Sequence, residues 1–306
     1  MSKIFQCQYP ILEACMNKGS TLELAVAVYR AGGYPSFCSW TYNGKHKLMQ
    51  RDLDRFVKTT GSNRVHCSFE LHEYPTSVIH NIIKSYAIPT IEIIYGDKNT
   101  FRPTRSESEL TEDLIELLQP IKNMGTKIFK RMYDNVDQAT MDQHLLDGFC
   151  IKGAESAGFT SHTPIKELFL RQRELTPGAM LIPYGGIGAA KQVKEYIDLG
   201  AEIVAVGTLL ALSIESPMST ETKLSAIKAQ SKDLKEFAHT VGNVERKQTA
   251  LQFKPYRGPD DANGTMGLIR GLRGKETGHV YLGHGIDHVT QLRSCQEIIQ
   301  DLSSCL

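Results

Sequence analysis

The sequence predicts an α/β fold, a (β/α)8 TIM barrel with a lid inserted between the eighth strand and the last helix. Three observations predict it. Eight short apolar runs recur at a spacing of roughly 25–35 residues with helical stretches between them, the rhythm of parallel strands joined by crossover helices. The last two runs end in glycine, as strands do when they open onto a helix at the mouth of a barrel. After Ala211 the rhythm breaks, and an amphipathic segment returns only at the C-terminal end.

Taken in order, the first strand is read over 9–15. Ser20, with Glu23 three residues on, is a plausible N-cap for the helix that follows, and Ala31-Gly32-Gly33 stops it. Further strands are read over 36–40, 64–71, 90–95, 127–132, 148–152, 180–184 and 202–206. Between the last two, a helix over 188–199 ends at Gly200. Its Ala190, Val193 and Ile197 form one stripe while Lys191, Lys194 and Asp198 fall elsewhere. Glu215-Ser216-Pro217 then leads into a segment rich in Lys, Thr and Gly. A long helix is expected over 221–240, followed by an irregular stretch carrying Pro255, Gly258, Pro259, Gly264, Gly267, Gly271 and Gly274. The segment 290–302 is the candidate eighth barrel helix. The domain reading is therefore a barrel over 1–215 plus 284–306, and a lid or cap over 216–283.

Composition narrows the function classes. The 306 residues carry 35 Lys+Arg against 34 Asp+Glu, so no global field attracts nucleic acid or an acidic membrane surface. With 41% hydrophobic and 23% charged residues the chain is of folded, globular type. No apolar stretch reaches 18 residues, the N-terminus lacks the apolar core of a signal peptide, and seven cysteines are scattered without CxxC pairs. A cytoplasmic protein without a structural metal site is expected. Its partner is a small-molecule substrate rather than nucleic acid or membrane, with a homodimer left open.

The sharpest chemical signal is an anion site in two halves. The strand over 180–184 runs into Gly185, Gly186, Ile187 and Gly188, where backbone N–H groups can approach a phosphate closely. The strand over 202–206 ends in Gly207 and Thr208, and the loops after strands seven and eight are the usual phosphate site of such barrels.

These motifs, with Pro10, Ala14-Cys15-Met16 and the Ala31-Gly32-Gly33 stop, and with Lys152-Gly153-Ala154-Glu155-Ser156-Ala157-Gly158, resemble the nitronate monooxygenase (2-nitropropane dioxygenase) family of FMN-dependent barrel flavoproteins. The resemblance runs along nearly the whole chain. It implies FMN, with its phosphate on Gly185, Gly186, Ile187, Gly207 and Thr208 and its ring against Ala14, Cys15 and Met16. Gly153, Ala157 and Gly158 would then line the loop after strand six, and Ser68 would stand where the family commonly places an Asn against the flavin.

The chain also departs from the family's pattern. The family's strand-six loop ends in a catalytic His, and here that position is Phe159, whose ring accepts no proton. His162 is the nearest titratable replacement and is taken as the candidate catalytic residue; a helix-start position ahead of Pro164 is its other reading. Lys152 stands where the family often has Gln or Glu, a cation able to lie beside the flavin, with a core lysine paired to a carboxylate as the alternative. Lys130, at the end of strand five, is read as a second cation aimed at the mouth, with pairing to a barrel carboxylate as its other reading. Cys15 replaces the usual proline and is read as a small apolar side chain rather than a nucleophile. His279, His284 and His288 lack the acidic companions of a metal motif. The resemblance implies oxidation of a nitronate or nitroalkane with O2. An FMN-dependent enoyl-(acyl-carrier-protein) reductase, and a non-catalytic flavin- or phosphate-binding protein, are the rival readings.

Overall fold

The structure, a computed structural model, describes residues 4–71, 74–94, 107–134, 145–241, 244–254 and 265–306. Six strands come first in the chain: β1 (Ile11–Glu13), β2 (Ser36–Cys38), β3 (His66–Glu70), β4 (Thr90–Ile94), β5 (Lys127–Met132) and β6 (Gly148–Lys152). After them come β7 (Gly158–Thr160), which belongs to a second sheet, then β8 (Met180–Tyr184) and β9 (Val204–Val206). The eight strands other than β7 pair in parallel in the order β1-β9-β8-β6-β5-β4-β3-β2. The two ends of that order meet. Tyr34 N–H donates to the Ile11 carbonyl at 2.8 Å and Glu13 N–H to the Tyr34 carbonyl at 2.9 Å, so β1 and the entry to β2 bring the sheet round into a barrel.

Strand alternation sorts the side chains into two cores. Inside the barrel, Leu12, Tyr34, Phe129, Cys150, Ile182 and Ile203 pack together, and Phe5 plugs the N-terminal end with its ring 5.1 Å from Tyr34 and 5.8 Å from Phe129. Outside, Ile11, Phe37, Ile91, Ile128, Phe149 and Leu181 meet the apolar faces of the helices. The first of these helices, Leu22–Arg30, buries Leu22, Leu24, Ala25 and Val28. Its N-cap is Thr21, whose hydroxyl accepts from Leu24 N–H at 3.4 Å, one residue beyond the expected Ser20. The closing helix is Cys295–Leu302, shorter than 290–302 and started by a Ser294 and Glu297 capping box.

The expected helix over 221–240 does not form as one element. A helix spans Thr220–Ala226, and residues further on make β10 (Lys235–Val241). Aromatic and β-branched residues at Phe237, Thr240 and Val241 suit a pleated strand better than a helix interior. β10 pairs antiparallel with β11 (Val244–Gln252), which pairs with β12 (His279–Val280) and with β7. This small sheet thus recruits a strand from outside 216–283. Pro255, Gly258, Pro259 and Gly264 of the irregular stretch lie outside the described residues. Among the described residues no helix is long and apolar enough to cross a membrane.

Candidate functional site

The C-terminal ends of the barrel strands and the small sheet enclose a cavity of about 420 Å³, within the roughly 300–1,000 Å³ of small-molecule sites. Four layers build it. On one side the turn after β1 presents Ala14, Cys15 and Met16. Ser20 holds this turn: its hydroxyl accepts from Met16 N–H at 3.0 Å and meets the Ser36 hydroxyl at 3.3 Å, and Thr41 Oγ1 donates to the Met16 carbonyl at 3.2 Å. That work explains why Ser20 is fully buried instead of capping the helix.

The floor carries charge. Arg131 lines the cavity from β5, its guanidinium lying 5.8 Å over Trp40 and 5.6 Å over Tyr184. Below, it pairs through two nitrogens with both oxygens of Glu92 on the adjacent strand, Nε to Oε1 at 2.7 Å and Nη2 to Oε2. Burial opposes ionisation of Glu92, but the Arg131 charge and hydrogen bonds outweigh it and hold the carboxyl below its usual range. Burial likewise opposes the charge on Arg131, and Glu92 reverses it. Lys152 lines the cavity from the tip of β6, and burial, reinforced by Arg131, pushes its ammonium down to about 7. Burial and the Glu92 charge raise the Cys15 thiol well above its ordinary value, so it is no thiolate nucleophile.

A third side is the glycine-lined half. Gly185, Gly186, Ile187, Gly207 and Thr208 all line the cavity. Gly186 sits at φ +66°, and a Cβ there would stand 2.8 Å from Glu155 Cβ. A Cβ on Gly207 would stand 3.5 Å from Ala14 Cβ, filling the gap between two strand ends. The N–H groups of Gly186, Ile187, Gly207 and Thr208 find no acceptor among the described hydrogen bonds. Those of Gly188 and Ala189 are both taken by Gln192 Oε1, at 2.9 and 3.0 Å. An anion is therefore offered the loop N–H groups ahead of the helix Ala190–Asp198 rather than that helix's own first turn. The Thr208 hydroxyl accepts from Gly283 N–H at 2.9 Å, which ties the return from the small sheet to the same loop.

The roof is largely apolar. Phe159 on β7, Tyr281, Leu268, Leu272 and Met218 cover the cavity, with Gln248 beside Phe159 where β11 pairs with β7.

Of the residues singled out in the sequence, Ala14, Cys15, Met16, Lys152, Ala157, Gly158, Gly185, Gly186, Ile187, Gly207 and Thr208 are brought together around this cavity. Four are not. His162 is exposed on the loop after β7, its N–H bonded to Asp134 Oδ2 at 2.8 Å, and it does not line the cavity. Gly153 packs outward, since a Cβ there would lie 2.3 Å from Ile165 Cβ. Ser68 is fully buried one pleat below Glu70, a layer deeper than the cavity, and its hydroxyl has no partner among the described residues. Lys130 alternates with the inward-facing Phe129 and Arg131, so it is buried on the helix side of β5; the expected cation of this strand is its neighbour Arg131. A signal for Arg131 was present in the sequence. Glu92 lies in the otherwise apolar run Thr90-Ile-Glu-Ile-Ile, and a carboxylate buried there requires a cation. Nothing local marks Gln248 or Leu268 as roof residues.

No protein-family model and no curated protein matches the chain. Solved structures do. FabK from Thermotoga maritima superposes with a TM-score of 0.79 at 19% identity, over 98% of this chain and 93% of that one. Nitroalkane oxidase from Streptomyces ansochromogenes gives 0.73 at 16% identity, over 97% and 95%. The enoyl reductase domain of MlnA from the macrolactin biosynthesis cluster of Bacillus amyloliquefaciens gives 0.71 at 11%, over 98% and 94%. At such identities the likeness is one of fold, and the chain has the barrel fold of these structures, the fold that its resemblance to the nitronate monooxygenases implied.

Proposed function

We propose that the chain is a flavin-dependent oxidoreductase that holds FMN in this cavity and acts on a nitronate or a similar small substrate. The observation that carries the reading is the convergence, on one cavity, of loop N–H groups at Gly186, Ile187, Gly207 and Thr208, unpaired among the described residues, with the cations Arg131 and Lys152. The fit to FMN rests on this donor set and on the space at Gly207 that a Cβ would fill. The phosphate would lie on the glycine-lined side and the ring toward Ala14 and Met16. Bound there, FMN supplies two-electron chemistry and the reaction of its reduced form with O2.

The chain's own residues do the rest. Arg131 is a permanent charge and attracts an anionic substrate. Lys152 Nζ takes up or releases a proton near neutral pH, a role Phe159 cannot fill. Phe159, Leu268 and Leu272 exclude water above the reacting atoms. A nitronate suits such a site because it arrives already deprotonated. The apolar roof favours a second reading, reduction of an enoyl thioester with a nicotinamide donor.

An anaerobic reduction screen on FMN-loaded protein separates these. Bleaching of the flavin by a nitronate supports the first reading and bleaching by NADH or NADPH the second. Failure of both leaves a non-catalytic binding protein. Gly186→Val should abolish FMN retention; a variant that stays yellow would refute the phosphate assignment.

A further inference from the structure

We propose that Cys15, His66 and Glu92 form a binding site for a divalent transition cation of the zinc type, beneath the floor of the cavity. The ligand atoms of these three residues lie within 4.8 Å of one another. Zinc bonds of about 2.0–2.3 Å at tetrahedral angles need separations of roughly 3.3–3.6 Å, so no pair has to close by more than about 1.5 Å. Thiolate, imidazole and carboxylate together suit zinc rather than magnesium or calcium.

The second observation is His66 itself. Its Nδ1 meets Thr90 Oγ1 at 3.1 Å, and that hydroxyl lies 3.4 Å from the Val65 carbonyl, to which it can only donate. With that proton on the Val65 carbonyl or on the Tyr34 hydroxyl, also 3.4 Å away, the Thr90 oxygen accepts from Nδ1–H and the bare lone pair lies on Nε2. His66 is fully buried and its Nε2 has no partner among the described residues. An orphaned nitrogen in a barrel interior is costly, and a cation shared with Cys15 and Glu92 would satisfy it. The surroundings are those of a supported site: Thr90 orients the imidazole and Arg131 holds both oxygens of the carboxylate.

Binding replaces the Cys15 thiol proton by the metal and releases that proton to solvent. Three protein ligands leave a fourth position open, and Cys15, which lines the cavity, connects the ion to it. The proposal is independent of the flavin reading. It also gives the residue that departs from the family's proline a use.

The test is titration of chelator-stripped protein with Co²⁺ alone. The expected result is one equivalent bound, with the visible bands of a four-coordinate ion and a near-ultraviolet thiolate-to-cobalt band, both removed by Zn²⁺. Cys15→Ser should lose the thiolate band while Cys305→Ser, at an exposed thiol, keeps it. Thr90→Val should weaken binding about 10–100-fold, as loss of an outer partner does. Should Cys15→Ser fail to fold, wild-type protein alkylated with and without Zn²⁺ gives the same answer: Cys15 is protected and Cys305 is not. Absence of stoichiometric uptake, a thiolate band that survives Cys15→Ser, or uptake without protection of Cys15 would overturn the assignment.

Discussion

Lys152→Met removes a buried amine whose folded-state pKa, about 7, lies well below the unfolded 10.5. Between those values the unfolded chain binds one proton more than the folded chain, so wild-type stability must rise with pH across the window and fall as pH drops toward 7. From these two pKa values, Lys152 costs about 5 kcal/mol of folding free energy at pH 6 and about 2 kcal/mol at pH 9. The Met variant carries no such dependence. Urea unfolding at pH 6, 7.5 and 9 is the assay. The wild type should gain about 3 kcal/mol more than the variant between the first and last pH. Parallel stability curves for the two proteins would refute the claim that Lys152 is held near neutrality by burial and Arg131, and with it the role given to its Nζ.

Other perturbations test the remaining parts of the site. Arg131→Met leaves the Glu92 carboxylate buried without its cation and should cost about 3–5 kcal/mol at pH 7. The loss should shrink in acid, where the stranded carboxyl protonates; a loss that does not change with pH would count against the pairing. Phe159→His restores a proton acceptor on the roof and should raise flavin reduction by a neutral nitroalkane about 10²-fold relative to a nitronate. Ser294→Ala breaks the cap at the start of Cys295–Leu302 and should cost about 0.5–2 kcal/mol. Faster amide exchange should then be confined to that helix and its partner Leu22–Arg30.

The barrel was legible because each of its signals is local. Apolar runs, their spacing and the glycine stops at Gly32 and Gly200 all act within a few residues, and each strand read from the sequence contains an observed one. The small sheet was not legible for the opposite reason. β7 has three residues and exists because Gly158, Phe159 and Thr160 find Thr249, Gln248 and Lys247 some ninety positions along the chain. Residues 235–240 read as helix because an isolated amphipathic run fits either period until a neighbouring strand decides. The site suffered one further failure, of register. A strand changes faces at every residue, so naming Lys130 instead of Arg131 reversed the side on which the charge lies.

That single pleat matters because the two cavity cations are prepared for different tasks. Arg131 is clamped by both oxygens of Glu92 and stacked between Trp40 and Tyr184, so it keeps its charge and its position whatever binds above it. Lys152 Nζ has no hydrogen bond or ion pair among the described residues, and the Arg131 charge adds to burial in loosening its proton. Neighbouring groups whose environments drive their proton affinities apart are the means by which a site assigns one to hold charge and the other to exchange protons. If the charges were equivalent, Arg131→Lys would leave the cavity's chemistry intact. The geometry says otherwise: a lysine at 131 cannot meet both Glu92 oxygens in a fixed fork, and would place a second labile proton where the site needs a fixed charge.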